Sequence, residues 1–270
     1  MNVAYLNQIK KKGYVVIKNA FPKNKIHKLL VEAKDLNQKK DNLVKARLAV
    51  DSKLIISPHS HSINFLEIIN HKMIEYFCMR LLNDPFYNSL KNLPNYCLNH
   101  SIIRSSGKKV LKFHRDDRNP PSTSNEVCYL QFILALEESN KKNGCTIVVP
   151  GSHKKNTYVQ NINKHKKKYI ELKAGDLLIY DGRLWHSAGS NKTDSTRWMF
   201  IFGFARWYLR QTYDFTRNMS KKLLKTLSKK DILKLGFHAI TKFDEKDSDT
   251  TGQRGNFNYA MKNYKKRLNL

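Results

Sequence analysis

The sequence predicts a mainly β protein with flanking helices, built on an antiparallel sandwich or barrel. Three observations carry that prediction. From about Asn95 to Trp207, apolar residues recur with a period of two in short runs. Gly, Pro, Asn and Ser turns separate those runs, and no helical pattern lies between them. The 270 residues are 40% hydrophobic and 11% aromatic, which is enough for a sizeable core and unlike a disordered chain.

The elements follow in order. Gly13 to Lys18 is β-branched and aromatic after a glycine turn, so it reads as a strand. Asn24 is placed to cap a helix through Ala33, with Ile26, Leu29, Leu30 and Ala33 at helical spacing. Residues 36–60 are polar and read as loop. A second helix is expected from about Ile63 to Leu82, ended by Asn83, Asp84 and Pro85. Strands are then expected at Cys97–Arg104, Lys109–His114, Cys128–Leu136, Thr146–Val149, Tyr169–Leu172, Asp176–Tyr180 and Trp198–Trp207. Helical spacing returns with Leu223, Leu224 and Leu227, then at Asp231–Leu235, and Asp247–Gly255 reads as a polar loop. The expectation is a single domain over 1–270, with a helix-rich part at 1–94, a β-core at 95–207 and a helical extension at 208–270.

Charge is the unusual number. Fifty Lys+Arg against 22 Asp+Glu give a formal net charge of +28, which on its own suggests a nucleic-acid or membrane-surface partner. Lysine is spread through the chain beside abundant asparagine, a compositional pattern that needs no polyanion. The densest clusters, Lys164–Lys168, Lys221–Lys222 with Lys229–Lys230, and Lys265–Arg267, read as solvated faces. No nucleic-acid motif accompanies them, so no specific nucleic-acid partner is expected. No run approaches the ~20 apolar residues of a membrane span. The first residues lack a secretory pattern, and Cys78, Cys97, Cys128 and Cys145 form no CxxC pair. Reduced thiols in a cytoplasmic protein are therefore expected.

Two motifs carry chemistry. In Phe113-His-Arg-Asp-Asp117, His114 and Asp116 are two apart, and on a strand both side chains reach one side. Imidazole with carboxylate suits Fe(II), Mn(II) or Zn(II). The second motif runs from Ala174 through Gly175-Asp176, an apolar strand and Asp181-Gly182 to His186, just beyond the strand end. Two histidines and one aspartate make a three-ligand set with open positions, as in non-haem iron oxygenases; zinc with a water is the competing metal. Arg197 opens the apolar strand Trp198–Phe202, and a permanent cation there calls for an anion, most naturally a carboxylate. His153 reads as a turn residue, His59 and His61 as part of a polar loop, and Trp185 as packing that orients His186.

These stretches together resemble the phytanoyl-CoA dioxygenase family of Fe(II)/2-oxoglutarate-dependent oxygenases. The resemblance rests on Gly13–Phe21, Phe113–Asp116, Asn143–Lys154, Gly175–His186 and Arg197, and covers roughly residues 5 to 207. It implies a double-stranded β-helix (jelly-roll, cupin-like) core. It also implies His114, Asp116 and His186 as iron ligands and Arg197 as the partner of the far carboxylate of 2-oxoglutarate, with O2 as the oxidant. Asn99, Ser101 and Arg104 lie near the position of an upstream residue the family uses to hold the cosubstrate, and Gln131 or Phe132 lies near a frequent aromatic. Because Asp116 is present where halogenating relatives keep a small residue, hydroxylation of a small molecule is expected. Arg104, Lys108, Lys109, Lys112, Arg115, Arg118 and Arg183 cluster near the motifs in sequence and suggest an anionic substrate. The alternative reading is a non-catalytic basic jelly-roll that binds nucleic acid or an anionic surface.

Overall fold

A computed structural model describes residues 3–38, 53–83, 93–117, 119–120, 126–155, 157–240 and 257–269. Arg118 and the loop expected at Asp247–Gly255 lie outside them. The described residues fall into two compact units, one of Met1–Pro58 with Ser101–Phe202 and one of His59–His100 with Gly203–Leu270.

The first unit begins with a helix that the sequence did not suggest, α1 (Val3–Lys12), which buries only Leu6 and Ile9. Strand β1 (Tyr14–Ile17) and helix α2 (Lys23–Gln38) follow as expected, α2 running a turn further than its apolar spacing implied. The stretch expected as loop contains a three-residue strand, β2 (Leu54–Ile56). The remaining strands are β3 (Tyr96–Ser105), β4 (Tyr129–Ala135), β5 (Thr146–Val148), β6 (Lys168–Ile170), β7 (Leu177–Asp181), β8 (His186–Ala188) and β9 (Trp198–Arg206). They form a six-stranded sheet, ordered β1-β7-β4-β9-β3-β2, and a three-stranded sheet, ordered β6-β5-β8. The pairings in register are antiparallel: Tyr14 faces Tyr180, Gln131 faces Tyr180 on its other side, and Val148 faces His186.

One expectation changes here and one is extended. Lys109–His114 is not a strand, because His114 makes only an isolated bridge to His186 and no continuous ladder forms. His186 lies beyond the end of β7, as expected, and in addition opens a short strand of its own, β8.

Strands β4 and β7 are buried along their whole length, so both faces are covered. One face packs Tyr14, Ile133, Ala135, Leu178, Tyr180 and Met199 against Val148 and Ile170 of the smaller sheet. Each of the Ile, Leu, Val and Met side chains among them contributes roughly 1.5–3 kcal/mol by leaving water. The alternate residues build a second layer, in which Phe132 stacks on Phe202 with centroids 5.2 Å apart and rings nearly parallel.

The second unit contains α3 (Ile63–Ile69) and α4 (Lys72–Leu81) where one helix was expected. Asn70 closes α3, and the His71 ring caps the first turn of α4. Helices α5 (Phe215–Asn218), α6 (Lys221–Leu224), α7 (Lys229–Lys234) and α8 (Phe257–Leu268) complete it. A reciprocal Ser228–Asp231 capping box starts α7. Lys265–Arg267 fall in the last turn of α8, where the helix dipole favours cations. His59 is not in an exposed loop; it is buried against Phe215. Among the described residues, no helix is long and apolar enough to cross a membrane.

Candidate metal centre and cosubstrate arginine

The local chain path brings the two motifs together. His114 and His186 exchange backbone hydrogen bonds, N–H to O at 2.9 and 3.0 Å. The Gly182 carbonyl accepts from the backbone N–H groups of both Asp116 (2.9 Å) and Asp117 (3.0 Å). Gly182 itself donates to the Tyr129 carbonyl and is packed so closely that a Cβ would lie 2.7 Å from the Tyr129 ring. The Phe113–Asp117 segment is thus stitched to the turn and strand that carry His186. Buried Arg183 clamps that turn, with its guanidinium 2.7 and 3.0 Å from the two Asp181 carboxylate oxygens.

Three expected ligands converge. Donor atoms of His114, Asp116 and His186 all lie within 4.8 Å of one another. Asp116 Oδ1 is 3.5 Å from His114 Nε2, and Oδ2 is 3.4 Å from His186 Nε2. Each imidazole has its other nitrogen beside a carbonyl two residues back: His114 Nδ1 is 2.9 Å from Lys112 O, and His186 Nδ1 is 2.9 Å from Leu184 O. A carbonyl only accepts, so Nδ1 carries the proton and both Nε2 lone pairs are left facing the carboxylate. Neutral imidazoles in this arrangement would offer both Nε2 atoms to a metal. His114 is the more open side of the cluster, its side chain 43% exposed against 7% for His186.

The electrostatics agree with that assembly. Burial alone would raise the Asp116 carboxyl, but His186, His114 and the Tyr180 hydroxyl outweigh it and hold the group well below the usual carboxylate range. Burial pushes His186 down, with Asp116 opposing. Burial also lowers His114, but less, and Asp116 carries it above its ordinary value. Tyr180 is pushed far up by burial and by the Asp116 charge, so its phenol stays protonated and donates.

Arg197 is placed just before β9 and is 7% exposed. Its Nη2 donates to the Gly144 carbonyl at 2.6 Å, and its buried Nε has no partner. No ion pair to Arg197 exists among the described residues. Burial lowers its pKa to about 10; the Cys145 thiol opposes this, and the Arg104 charge adds to it. A buried cation with an orphaned N–H and no protein carboxylate fits a site completed by an anion from outside the chain.

Sequence reasoning missed one neighbour. Tyr180 places its hydroxyl 2.7 Å from Asp116 Oδ2 and 3.2 Å from His186 Nε2. The clue was its position in an apolar strand, where a tyrosine hydroxyl needs a partner. Arg104, one of the expected upstream candidates, lies within electrostatic range of both His114 and Arg197. Asn99, another upstream candidate, is committed to Arg210 and Thr212. Of the basic residues near the motifs, Arg183 is ion-paired with Asp181, and Arg115 lies 3.8 Å from Asp117 and donates to the Thr157 carbonyl. Lys108, Lys109 and Lys112 are exposed.

Comparison with known proteins gives a consistent picture. The sequence model described as Phytanoyl-CoA dioxygenase (PhyH) matches residues 9–199. The chain is 29% identical over 138 residues to dioxygenase olcK of Penicillium canescens, covering 48% of this chain and 43% of that protein. It is 31% identical over 153 residues to the iron/alpha-ketoglutarate-dependent dioxygenase ausO of Aspergillus calidoustus, covering 50% and 51%. The chain therefore spans about half the length of the curated relatives it matches. Among solved structures, the alpha-ketoglutarate-dependent epimerase SnoN of nogalamycin biosynthesis superposes with a TM-score of 0.61 at 20% identity, covering 76% of this chain and 83% of that one. HygX from Streptomyces hygroscopicus, solved with nickel, 2-oxoglutarate and hygromycin B, gives 0.63 at 14% identity, covering 78% and 90%. The two antiparallel sheets are those of a double-stranded β-helix.

Proposed function

The chain belongs to the phytanoyl-CoA dioxygenase family, and from that premise we propose that it is an Fe(II)- and 2-oxoglutarate-dependent dioxygenase. It hydroxylates a small molecule with release of succinate and CO2. The observation that carries this is the convergence of two Nε2 lone pairs and one carboxylate, with a buried, carboxylate-free arginine elsewhere in the same unit. Both halves fit: the donor set suits a divalent iron, and Arg197 suits a dicarboxylate.

His114, Asp116 and His186 hold the metal, and Arg197 holds the far carboxylate of 2-oxoglutarate. The iron, with 2-oxoglutarate and O2, supplies the oxidising power that breaks a C–H bond. The chain's own residues do the rest. The Lys112 and Leu184 carbonyls hold the imidazole protons on Nδ1, keeping both Nε2 atoms unprotonated. Asp116 supplies the negative charge, and the cluster around Leu178, Leu184 and Met199 keeps water off the buried side. Arg197 orients by charge and by its fork of N–H donors.

The substrate is a small molecule, with an anionic group read by the exposed Lys108, Lys109 and Lys112 rather than by Arg115 and Arg183, which already face aspartates. The four free cysteines support a reducing, cytoplasmic setting, and the chain works as one oxygenase domain over 1–270. The test is succinate formation from 2-oxoglutarate by aerobic protein with Fe(II), screened against metabolites. Stimulation by a metabolite, lost in Asp116→Ala, is expected. Succinate formation equal in wild type and Asp116→Ala would refute the proposal, and stimulation insensitive to salt would refute its anionic part.

A further inference from the structure

We propose that Tyr180 is a positioning residue for the metal: its hydroxyl holds one oxygen of the Asp116 carboxylate so that the other is presented to the ion. This role rests on the metal site proposed above. With a metal bound both imidazoles would be neutral, each keeping its one proton on Nδ1 beside Lys112 O or Leu184 O, so neither would donate to the Asp116 carboxylate. Its own backbone N–H goes to Gly182 O. In that state the Tyr180 hydroxyl, at 2.7 Å from Oδ2, is the short side-chain donor to this half-buried carboxylate. The same hydroxyl is 3.2 Å from His186 Nε2, but a phenol has one proton to give, and the shorter contact to the charged oxygen takes it.

The ring is fixed well enough to aim that proton. Tyr180 is 2% exposed, in the middle of β7, in register with Tyr14 on one side and Gln131 on the other. Its ring lies 4.8 Å from the His186 ring and packs into the core cluster. A carboxylate without this tether is free to turn both oxygens toward an ion and occupy a position that cosubstrate or oxygen needs. A hydroxyl that engages Oδ2 leaves Oδ1, the oxygen nearer His114, as the ligand atom.

The test is Co(II) binding by titration calorimetry, with Co(II) alone as the probe, in four proteins: wild type, Tyr180→Phe, Asp116→Ala and the double variant. Tyr180→Phe keeps the ring and removes only the hydroxyl. Binding weakened about 10- to 100-fold in Tyr180→Phe, but changed less than about twofold by the same substitution in the Asp116→Ala background, is expected. Equal weakening in both backgrounds, or no weakening beside a clear Asp116 dependence, overturns the role of Tyr180 and leaves the metal site standing. Wild type that fails to bind Co(II), or binds it as well as Asp116→Ala, overturns the metal site itself. Should Tyr180→Phe not fold, the tyrosine ultraviolet difference spectrum on adding Zn(II) to wild type decides. A perturbation absent from Asp116→Ala supports the role, and none overturns it.

Discussion

Replacing Arg197 with methionine should stabilise the protein in the absence of cosubstrate and remove its hold on 2-oxoglutarate. Arg197 is 7% exposed, and burial lowers its pKa from the usual guanidinium range to about 10. At about 1.4 kcal/mol per tenfold, that fall corresponds to about 3 kcal/mol of penalty on the charged form in the fold. The sign is unambiguous for a cation: the penalty is fully present at pH 7, below the folded pKa, and is relieved only as pH rises past about 10. Methionine fills similar volume but leaves the Gly144 carbonyl without its donor, which returns ~1 kcal/mol or more. The net expectation is a gain of about 1–2 kcal/mol in urea unfolding at pH 7. Wild type with Mn(II) and 2-oxoglutarate at 100 times its dissociation constant should gain about 2.7 kcal/mol, and the variant should gain nothing from 2-oxoglutarate. The rank order of stability should therefore invert on adding cosubstrate. A variant clearly less stable than wild type without cosubstrate, or equally stabilised by it, would refute the reasoning.

Two further predictions concern the frame around the site and the second unit. Gly144 has φ +86°, and a Cβ there would lie 2.6 Å from the Gly189 carbonyl oxygen, so Gly144→Ala should cost about 1–3 kcal/mol in thermal unfolding. Because Gly144 also supplies the carbonyl on Arg197, the same variant should need several-fold more 2-oxoglutarate for half-maximal succinate release; unchanged stability and cosubstrate demand would count against the assigned geometry. His238, 3.7 Å from Cys97 Sγ, is lowered by burial to about 4. The unfolded state binds its proton first, so about 3 kcal/mol of stability should disappear as pH falls from 6.5 to 4. Urea unfolding of His238→Phe should show a flatter pH profile across that window, and an unchanged profile would exclude His238 as its source.

What the sequence made legible depended on how local each signal is. His114 and Asp116 sit two residues apart, and the Gly175–His186 run carries its turn, strand and ligand together, so each could be read as a unit. The spacing of Leu177–Asp181 marked β7, but its burial on both faces hid which side chain mattered, and the partner of Tyr180 lies 64 residues away. Lys109–His114 looked like a strand because Val110, Leu111 and Phe113 alternate loosely with lysines, yet its contacts with the neighbouring chain are isolated, a bridge at His114 and a bond from Leu111 N–H to Ala188 O, and build no ladder. Helix α1 buries just two residues and β2 is three residues long, too little for periodicity to register. Helix α8 has Tyr259, Ala260 and Leu268 as its buried residues, so its pattern is faint beside its lysines. Net charge could not separate the basic residues near the site, because pairing is set by the fold: Asp117 and Asp181 face two of the arginines that sequence proximity had grouped with the ligands.

The most direct measurement is an anaerobic titration of the Fe(II)-loaded protein with 2-oxoglutarate, followed by visible absorption. A weak metal-to-ligand charge-transfer band should grow to saturation in wild type, vanish in Asp116→Ala and require far more 2-oxoglutarate in Arg197→Met. No band in wild type, or a band that survives both substitutions unchanged, would contradict the assignment of His114, Asp116, His186 and Arg197 as one oxygenase centre.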